Sequence, residues 1–223
     1  MDRREIEKIE GNMCGIIGYT GSKPVEEVLI NGLKRMEYRG YDSYGIAYRD
    51  EEKIGGRSKI YKTTNKLSSH KIKSKNFGYG IGHTRWATHG VPNEKNAHPH
   101  NCFHISIVHN GIIENYREIR KFLEDMNFVL ETDTDSEVIA YLIEYFYTNY
   151  DDSDLSTRED IELEEAVAKA VDRLEGAYAI VVMSDGDLGK LVGVKFSSPL
   201  VVGSEKGGYF IAVSYTHLTL PTN

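Results

Sequence analysis

The run Met13-Cys14-Gly15-Ile16-Ile17-Gly18-Tyr19 sets the terms for the rest of the chain. It is apolar and β-branched, broken only by glycines, which is the composition of a buried strand. Cys14 opens it. A cysteine there is either a small buried structural residue or, if it becomes the first residue of the mature chain, a nucleophile carrying its own base. Its α-amino group, with an unperturbed pKa of about 7.7–8, then serves the thiol with no separate histidine. Chain starts usually fray, and a start that enters a core strand directly is unusual. Residues 1–13, charged and without an apolar core, read as a leader or a start placed too early. Translation from Met13, with removal of that methionine before a small residue, leaves Cys14 first.

The remaining strand and helix signals are spread over one globular length. The 223 residues suffice for one sizeable core or two small ones, and no run reaches the ~20 apolar residues of a membrane span. A formal charge of −7 argues against a broad nucleic-acid surface. Two cysteines, Cys14 and Cys102, make no disulfide framework, so a reducing, cytoplasmic setting is expected.

After the opening strand, Ser22-Lys23-Pro24 fits a helix start, with proline in the first turn, and Val25, Val28, Leu29, Leu33 and Met36 recur at helical spacing. A turn at 39–43 precedes a strand over Tyr44–Tyr48. Residues 50–76 are Lys-rich, with a short strand near Ile60 and a weak helix near Leu67, and read as a solvated face. Phe77 to His89 alternates glycine with Tyr79, Ile81 and His83, a strand that delivers Thr84-Arg85-Trp86 to a loop. Residues 91–101 read as loop and 104–109 as a core strand. Amphipathic helices follow near 116–126 (Asn115 as cap), 136–147 and 158–174. Strands at 178–183, 190–196, 200–202 and 209–213 close the chain. Without an internal repeat, this pattern predicts one domain of mixed α/β layers, not a doubly wound parallel sheet.

Several side chains carry two readings each. Arg85 at a strand end is a structural cap for carbonyls or a bidentate anchor for an amino-acid carboxylate. Trp86 packs in the core or walls a pocket. Asn110-Gly111 after an apolar run is a hairpin turn, or an amide and a backbone N–H side by side forming an oxyanion hole. Thr134 with Glu137 fits a capping box and Asp135 a helix cap, while Asp135 also suits a substrate ammonium group. The histidines from His83 to His109, with Cys102, invite a metal reading. Their spacing fits no usual ligand pattern, so no metal and no cofactor are expected, and Cys102 reads as a small buried hydrophobe.

Taken in order, C-G-I-I-G-Y, Y-R-G-Y-D-S, H-T-R-W-A-T-H-G, N-A-H-P-H, H-N-G-I-I-E-N-Y, T-D-S-E-V-I, G-A-Y-A-I-V-V-M and S-S-P-L-V-V-G resemble the glutaminase halves (class II glutamine amidotransferase domains) of glutamine–fructose-6-phosphate aminotransferases, the glucosamine-6-phosphate synthases. The likeness runs from Cys14 to about Ala212. It implies an α+β fold, the N-terminal-nucleophile hydrolase sandwich of four αββα layers with two mainly antiparallel sheets, over a domain spanning 14–213. It implies glutamine amide hydrolysis through a γ-glutamyl thioester, the ammonia serving glucosamine-6-phosphate synthesis. By the same resemblance Cys14 is the nucleophile, and Asn110 and Gly111 form the oxyanion hole. Arg85 binds the α-carboxylate and Asp135, aligned on Glu137-Val138-Ile139, the α-amino group. Trp86, Thr88 and His89 fall in the pocket-forming loop. Fructose 6-phosphate is a partner only through a C-terminal isomerase half, which this sequence lacks, and full-length relatives are expected to be homo-oligomers. Residues 214–223 match nothing expected there. The alternatives are the glutaminase half of amidophosphoribosyltransferase, which usually has glutamine where Tyr41 follows Arg39-Gly40, and a non-catalytic glutamine-binding module.

Overall fold

The computed structural model describes residues 14–50, 56–87, 90–148 and 161–213. The expected leader 1–13, the loop residues Thr88 and His89, the start of the helix expected at 158 and the tail 214–223 lie outside the described residues.

The opening run forms strand β1 (Gly15–Pro24), which passes directly into helix α1 (Val25–Arg35). Pro24 occupies the N-cap position, one step before the first turn where the sequence had placed it. Strands β2 (Ser43–Asp50), β3 (Lys59–Thr63) and β4 (Phe77–Arg85) follow, with only a single 3₁₀ turn at Leu67–Ser69 where a weak helix was expected. Next come β5 (His100–Cys102), β6 (Ile105–Ile113), α2 (Tyr116–Asp125), α3 (Glu137–Tyr147) and α4 (Leu163–Val171). The described residues close with β7 (Gly176–Ser184), β8 (Leu191–Phe196), β9 (Val201–Glu205) and β10 (Gly208–Ala212).

One sheet has the order β3-β2-β4-β1-β10-β9 and the other β5-β6-β7-β8. Every strand pairing within them is antiparallel. Helix α1 covers the outer face of the first sheet and α3 lies on the second, packed between α2 and α4. The inner faces meet through β1 and β4 against β6, β7 and β8. This is the four-layer αββα sandwich implied by the resemblance.

The glycine alternation in β4 explains how the first two layers fit. A Cβ on Gly80 or Gly82 would stand 2.9 Å from Leu29 Cδ1 or 3.3 Å from Leu33 Cδ1, so both glycines lie under α1 and let it approach closely. The intervening Tyr79 points the other way, its hydroxyl donating to Ser184 O in β7 at 3.0 Å. The inner core joins Ile16, Ile81, Val108, Val181 and Met183, while Ile105, Ile107, Ile180 and Val182 pack under α3 and α4 with Ile139, Leu142 and Val167. Each such side chain, fully buried, contributes about 1.5–3 kcal/mol.

Two local readings give way to tertiary partners. Asn115 is the N-cap residue of α2, yet its side chain makes no capping bond. Its amide instead joins Arg173 O and Glu175 N, tying α2 to the end of α4. Glu26, one residue into α1, is buried at 2 % exposure. Its carboxylate accepts from Tyr48 Oη, His70 Nε2, Lys73 N and Ser74 N at 3.1, 3.0, 2.9 and 2.6 Å, fastening residues 70–74 across the helix start.

Candidate active site

Each sheet delivers one edge of the site. In the first, pairing of Gly15 with Thr84 sets the start of β1 beside the end of β4. Gly15 N donates to Thr84 Oγ1 at 3.0 Å, and Trp86 N donates to Cys14 Sγ at 3.1 Å. The thiol, 3.6 Å from Trp86 O, is thus held between backbone groups of one loop. Asp42 steadies that loop: Ala87 N donates to Asp42 Oδ2, and Asp42 N donates to Arg85 O at 2.8 Å.

In the second sheet the period-2 alternation of β6 decides what reaches the site. His109 turns outward to the helices, its Nδ1 2.8 Å from Ser136 Oγ. Asn110 therefore turns inward, and its Nδ2 donates to the Cys14 carbonyl oxygen at 2.8 Å. The hairpin reading of Asn110-Gly111 is overturned. The strand continues to Ile113 and pairs with β7 residue by residue, Asn110 opposite Ala179 and Gly111 opposite Tyr178. Gly111 is required by space and backbone alike: φ is +119°, and a Cβ would stand 2.0 Å from Ala177 O.

Asp135 comes from the segment before α3, where the capping readings also fail. Ser136 is the N-cap residue and makes no side-chain capping bond. Asp135 Oδ2 accepts from Ile113 N at 2.9 Å, and Glu137 turns back to accept from Glu131 N and Thr132 N at 2.9 and 2.7 Å. Asp135 is thereby tied to the end of β6, beside Asn110 and Gly111.

A cavity of about 300 Å³ brings these groups together: Cys14, Arg85, Trp86, Asn110, Gly111 and Asp135 all line it. That is the lower end of small-ligand pockets, which run to about 1,000 Å³. Six of the eight residues singled out from sequence line this cavity, and the other two, Thr88 and His89, are not among the described residues. Arg85 is buried at 4 % exposure, its Nη2 3.3 Å from Gly90 O, whereas Trp86 is 40 % exposed at the rim. The wall also includes Arg39, His98, His109, Ser198 and Pro199, to which sequence reasoning gave no pocket role. All five stand inside the motifs quoted above, and the two histidines carry only a metal reading there.

Electrostatics follow from burial. Burial pushes the Cys14 thiol up, and the Asp42 charge adds to this, against the lowering effects of the Trp86 N–H and Arg85. In the cavity wall, the His98 ring lies tilted over that of His83, centroids 4.2 Å apart, and edge-on to that of His100 at 4.6 Å. Burial lowers His83 to about 3 and His109 to about 4, and holds His98 and His100 well below the usual range. The cluster is neutral at physiological pH, and among the described residues no three His, Cys, Asp or Glu side chains are placed to hold a metal ion. Cys102 is buried with its thiol pushed up, as expected of a small core residue. No helix among the described residues is long and apolar enough to cross a membrane.

Comparison with known proteins follows this geometry. The chain is 42% identical over 205 residues to glutamine–fructose-6-phosphate aminotransferase (isomerizing) of Clostridium acetobutylicum, and 43% over 204 residues to that of Vibrio parahaemolyticus. Each match covers 90% of this chain but 31% of the relative, so the chain spans about a third of the length of these proteins. Among solved structures, glutamine phosphoribosylpyrophosphate amidotransferase from B. subtilis superposes with a TM-score of 0.72 at 21% identity, over 92% of this chain and 43% of that one. A glutamine aminotransferase class-II domain protein from Silicibacter pomeroyi gives 0.57 at 15% identity, over 90% and 88%. These two likenesses establish the fold. Residues 83–218, more than half of the chain, match the family described as glutamine amidotransferase domain, and it is to this family that the chain belongs.

Proposed function

We propose that this chain hydrolyses the side-chain amide of glutamine to glutamate and ammonia through a thioester on Cys14. We further propose that it is the ammonia-supplying part of glucosamine-6-phosphate synthesis from fructose 6-phosphate. The observation that carries the hydrolysis is the meeting of two sheets at one cavity. The Cys14 thiol comes from one, and the Asn110 amide, aimed at Cys14, from the other.

In this reading the Arg85 fork pairs with the α-carboxylate and Asp135 with the α-ammonium, which sets the amide carbonyl over Sγ. Pushed up by desolvation, the half-buried thiol is held protonated at neutral pH, so attack requires a base. The α-amine of Cys14 fills that role once Cys14 is the first residue. It takes the thiol proton as sulfur bonds to the amide carbon, and passes it to the departing nitrogen as the C–N bond breaks and ammonia leaves. Water then adds to the thioester, releasing glutamate and returning the proton to sulfur. Asn110 Nδ2 and Gly111 N–H serve the oxyanion of both tetrahedral intermediates, one such donor contributing about 3–4 kcal/mol. Trp86 borders the mouth, and we extend a substrate-binding role to Thr88 and His89 from the motif alone.

The acceptor assignment rests on the 42–43% identity to aminotransferases named for fructose 6-phosphate. The likeness to phosphoribosylpyrophosphate amidotransferases, at 21–22%, is one of fold alone. The test is glutamate release from glutamine by two purified forms, one starting at Met1 and one at Met13, with N-termini verified by mass. Activity is expected only where Cys14 is first. Cys14→Ala should abolish hydrolysis and retain glutamine binding, and turnover by that variant would end the thioester mechanism.

A further inference from the structure

Taking Asn110 as the oxyanion donor, and so resting on the reading above, we propose that His83 is a positioning residue that fixes the orientation of the Asn110 amide. An asparagine amide has two nearly isosteric ends, and only one donates. If it turned over, an oxygen would face the developing oxyanion and oppose the reaction it should assist. Nothing in the Asn110 side chain itself prevents this. What prevents it is the pair of groups on either side.

One end of the amide lies 2.8 Å from the Cys14 carbonyl oxygen, which only accepts, so that end is Nδ2. The other end is then Oδ1, 2.8 Å from His83 Nε2. Oδ1 only accepts, so Nε2 carries the proton. A neutral imidazole has one such proton, so Nδ1 is left without it; no group meets hydrogen-bond geometry at His83 Nδ1 among the described residues, although the His109 backbone also acts on the ring. Burial against His98 holds His83 neutral, down at about 3, so the tautomer is fixed across the working pH range.

The placement also follows from the strands. His83 lies opposite Ile16 in the β4–β1 register, and like Tyr79 two pleats earlier it faces the second sheet. Asn110 faces back from β6. The bond therefore crosses the sandwich between the two sheets, directly behind the nucleophile. His83 is not among the residues that line the cavity, so it acts through Asn110.

The test pairs kinetics with a measurement independent of activity. In the form beginning at Cys14, His83→Phe keeps the ring and removes the donor, while His83→Gln keeps a donor amide. His83→Phe should lower kcat by about 10–100-fold with KM nearly unchanged, the scale of a misplaced catalytic group. His83→Gln should recover much of that loss. Asn110→Ala should lower kcat by about 10²–10³-fold, and adding His83→Phe to it should cost nothing more. In the unsubstituted chain, ¹⁵N shifts of the His83 ring should report the Nε2–H tautomer.

A loss that falls on KM, or that multiplies with that of Asn110→Ala, would overturn the proposal, as would the Nδ1–H tautomer. Melting curves for each variant separate these effects from unfolding. If the unsubstituted chain with Cys14 first releases no glutamate, the hydrolase reading fails by itself, and the ring tautomer then decides whether His83 fixes the amide.

Discussion

The buried carboxylate of Glu26 offers a test of the physical reasoning away from the catalytic chemistry. Four donors converge on its two oxygens: Tyr48, Lys73 and Ser74 on Oε2, and His70 on Oε1. Glu26→Gln keeps the shape and removes the charge. The new NH₂ is least disruptive facing His70, because the Tyr44 hydroxyl at His70 Nδ1 can switch between donor and acceptor and let the imidazole change tautomer. The three bonds at the other oxygen survive without charge assistance, at about 1 kcal/mol each. Relief from burying a charge offsets part of this, leaving a net loss of about 2 kcal/mol, or about 4–8 °C in Tm for a chain of this size.

The sign of the pH dependence follows. Burial alone would raise the Glu26 carboxyl, but the Ser74 N–H, His70, the Lys73 N–H and Tyr48 outweigh it and hold it below its ordinary 4.5. A depressed carboxyl stabilises the fold above its unfolded value and loses that contribution as pH falls through the folded one. Urea denaturation should therefore show the full gap between wild type and Glu26→Gln at pH 7, narrowing below about pH 4.5. A gap under about 0.5 kcal/mol at pH 7, or one that stays constant down to pH 3, would refute the account.

Two further predictions concern the site. Gly111→Ala forces a Cβ to within 2.0 Å of Ala177 O at φ +119°, so β6 and β7 must part. The variant should lose several kcal/mol of stability by denaturant titration and its glutaminase activity with it; wild-type-like folding would show that the strands tolerate the shift. Arg85→Ala should raise KM for glutamine more than tenfold, measured by glutamate release, if the guanidinium holds the α-carboxylate. An unchanged KM would return Arg85 to a purely structural role.

The elements that could be read from sequence are those with a regular period. The Val25–Met36 stripe and the Gly-X alternation of β4 each reported a face, because burial on one side is what makes such a pattern. Misreadings fell where a short local motif competed with partners distant in sequence. Asn110-Gly111 carries the signal of a tight turn, but pairing along the whole of β6 with β7 outweighs a two-residue preference. Thr134, Asp135 and Glu137 have the residues of a helix cap, yet their oxygens serve Ile113, Glu131 and Thr132, none of which local spacing reveals. Glu26 was invisible as a core residue for the same reason, since its donors come from residues 48 and 70–74. Of the candidate site, six of the residues picked out by motif share one cavity. The inward turn of Asn110, and its backing by His83, required the parity of two facing strands.

The position of β1 also orders events in time. It lies between β4 and β10, and Ile17 meets Ala212 about two hundred residues downstream, which at about 5–20 residues per second is about 10–40 s of synthesis. By the time Asp135 has been made, every group assigned to the chemistry already exists. Ser198, Pro199 and Val213, which complete the cavity wall, do not. Until β10 arrives, one edge of β1 has no partner and is open to pairing with other chains. A nascent or interrupted chain thus holds all the side chains proposed to react without the wall that encloses them, and the last of the described strands is the one that pairs with the free edge of the first.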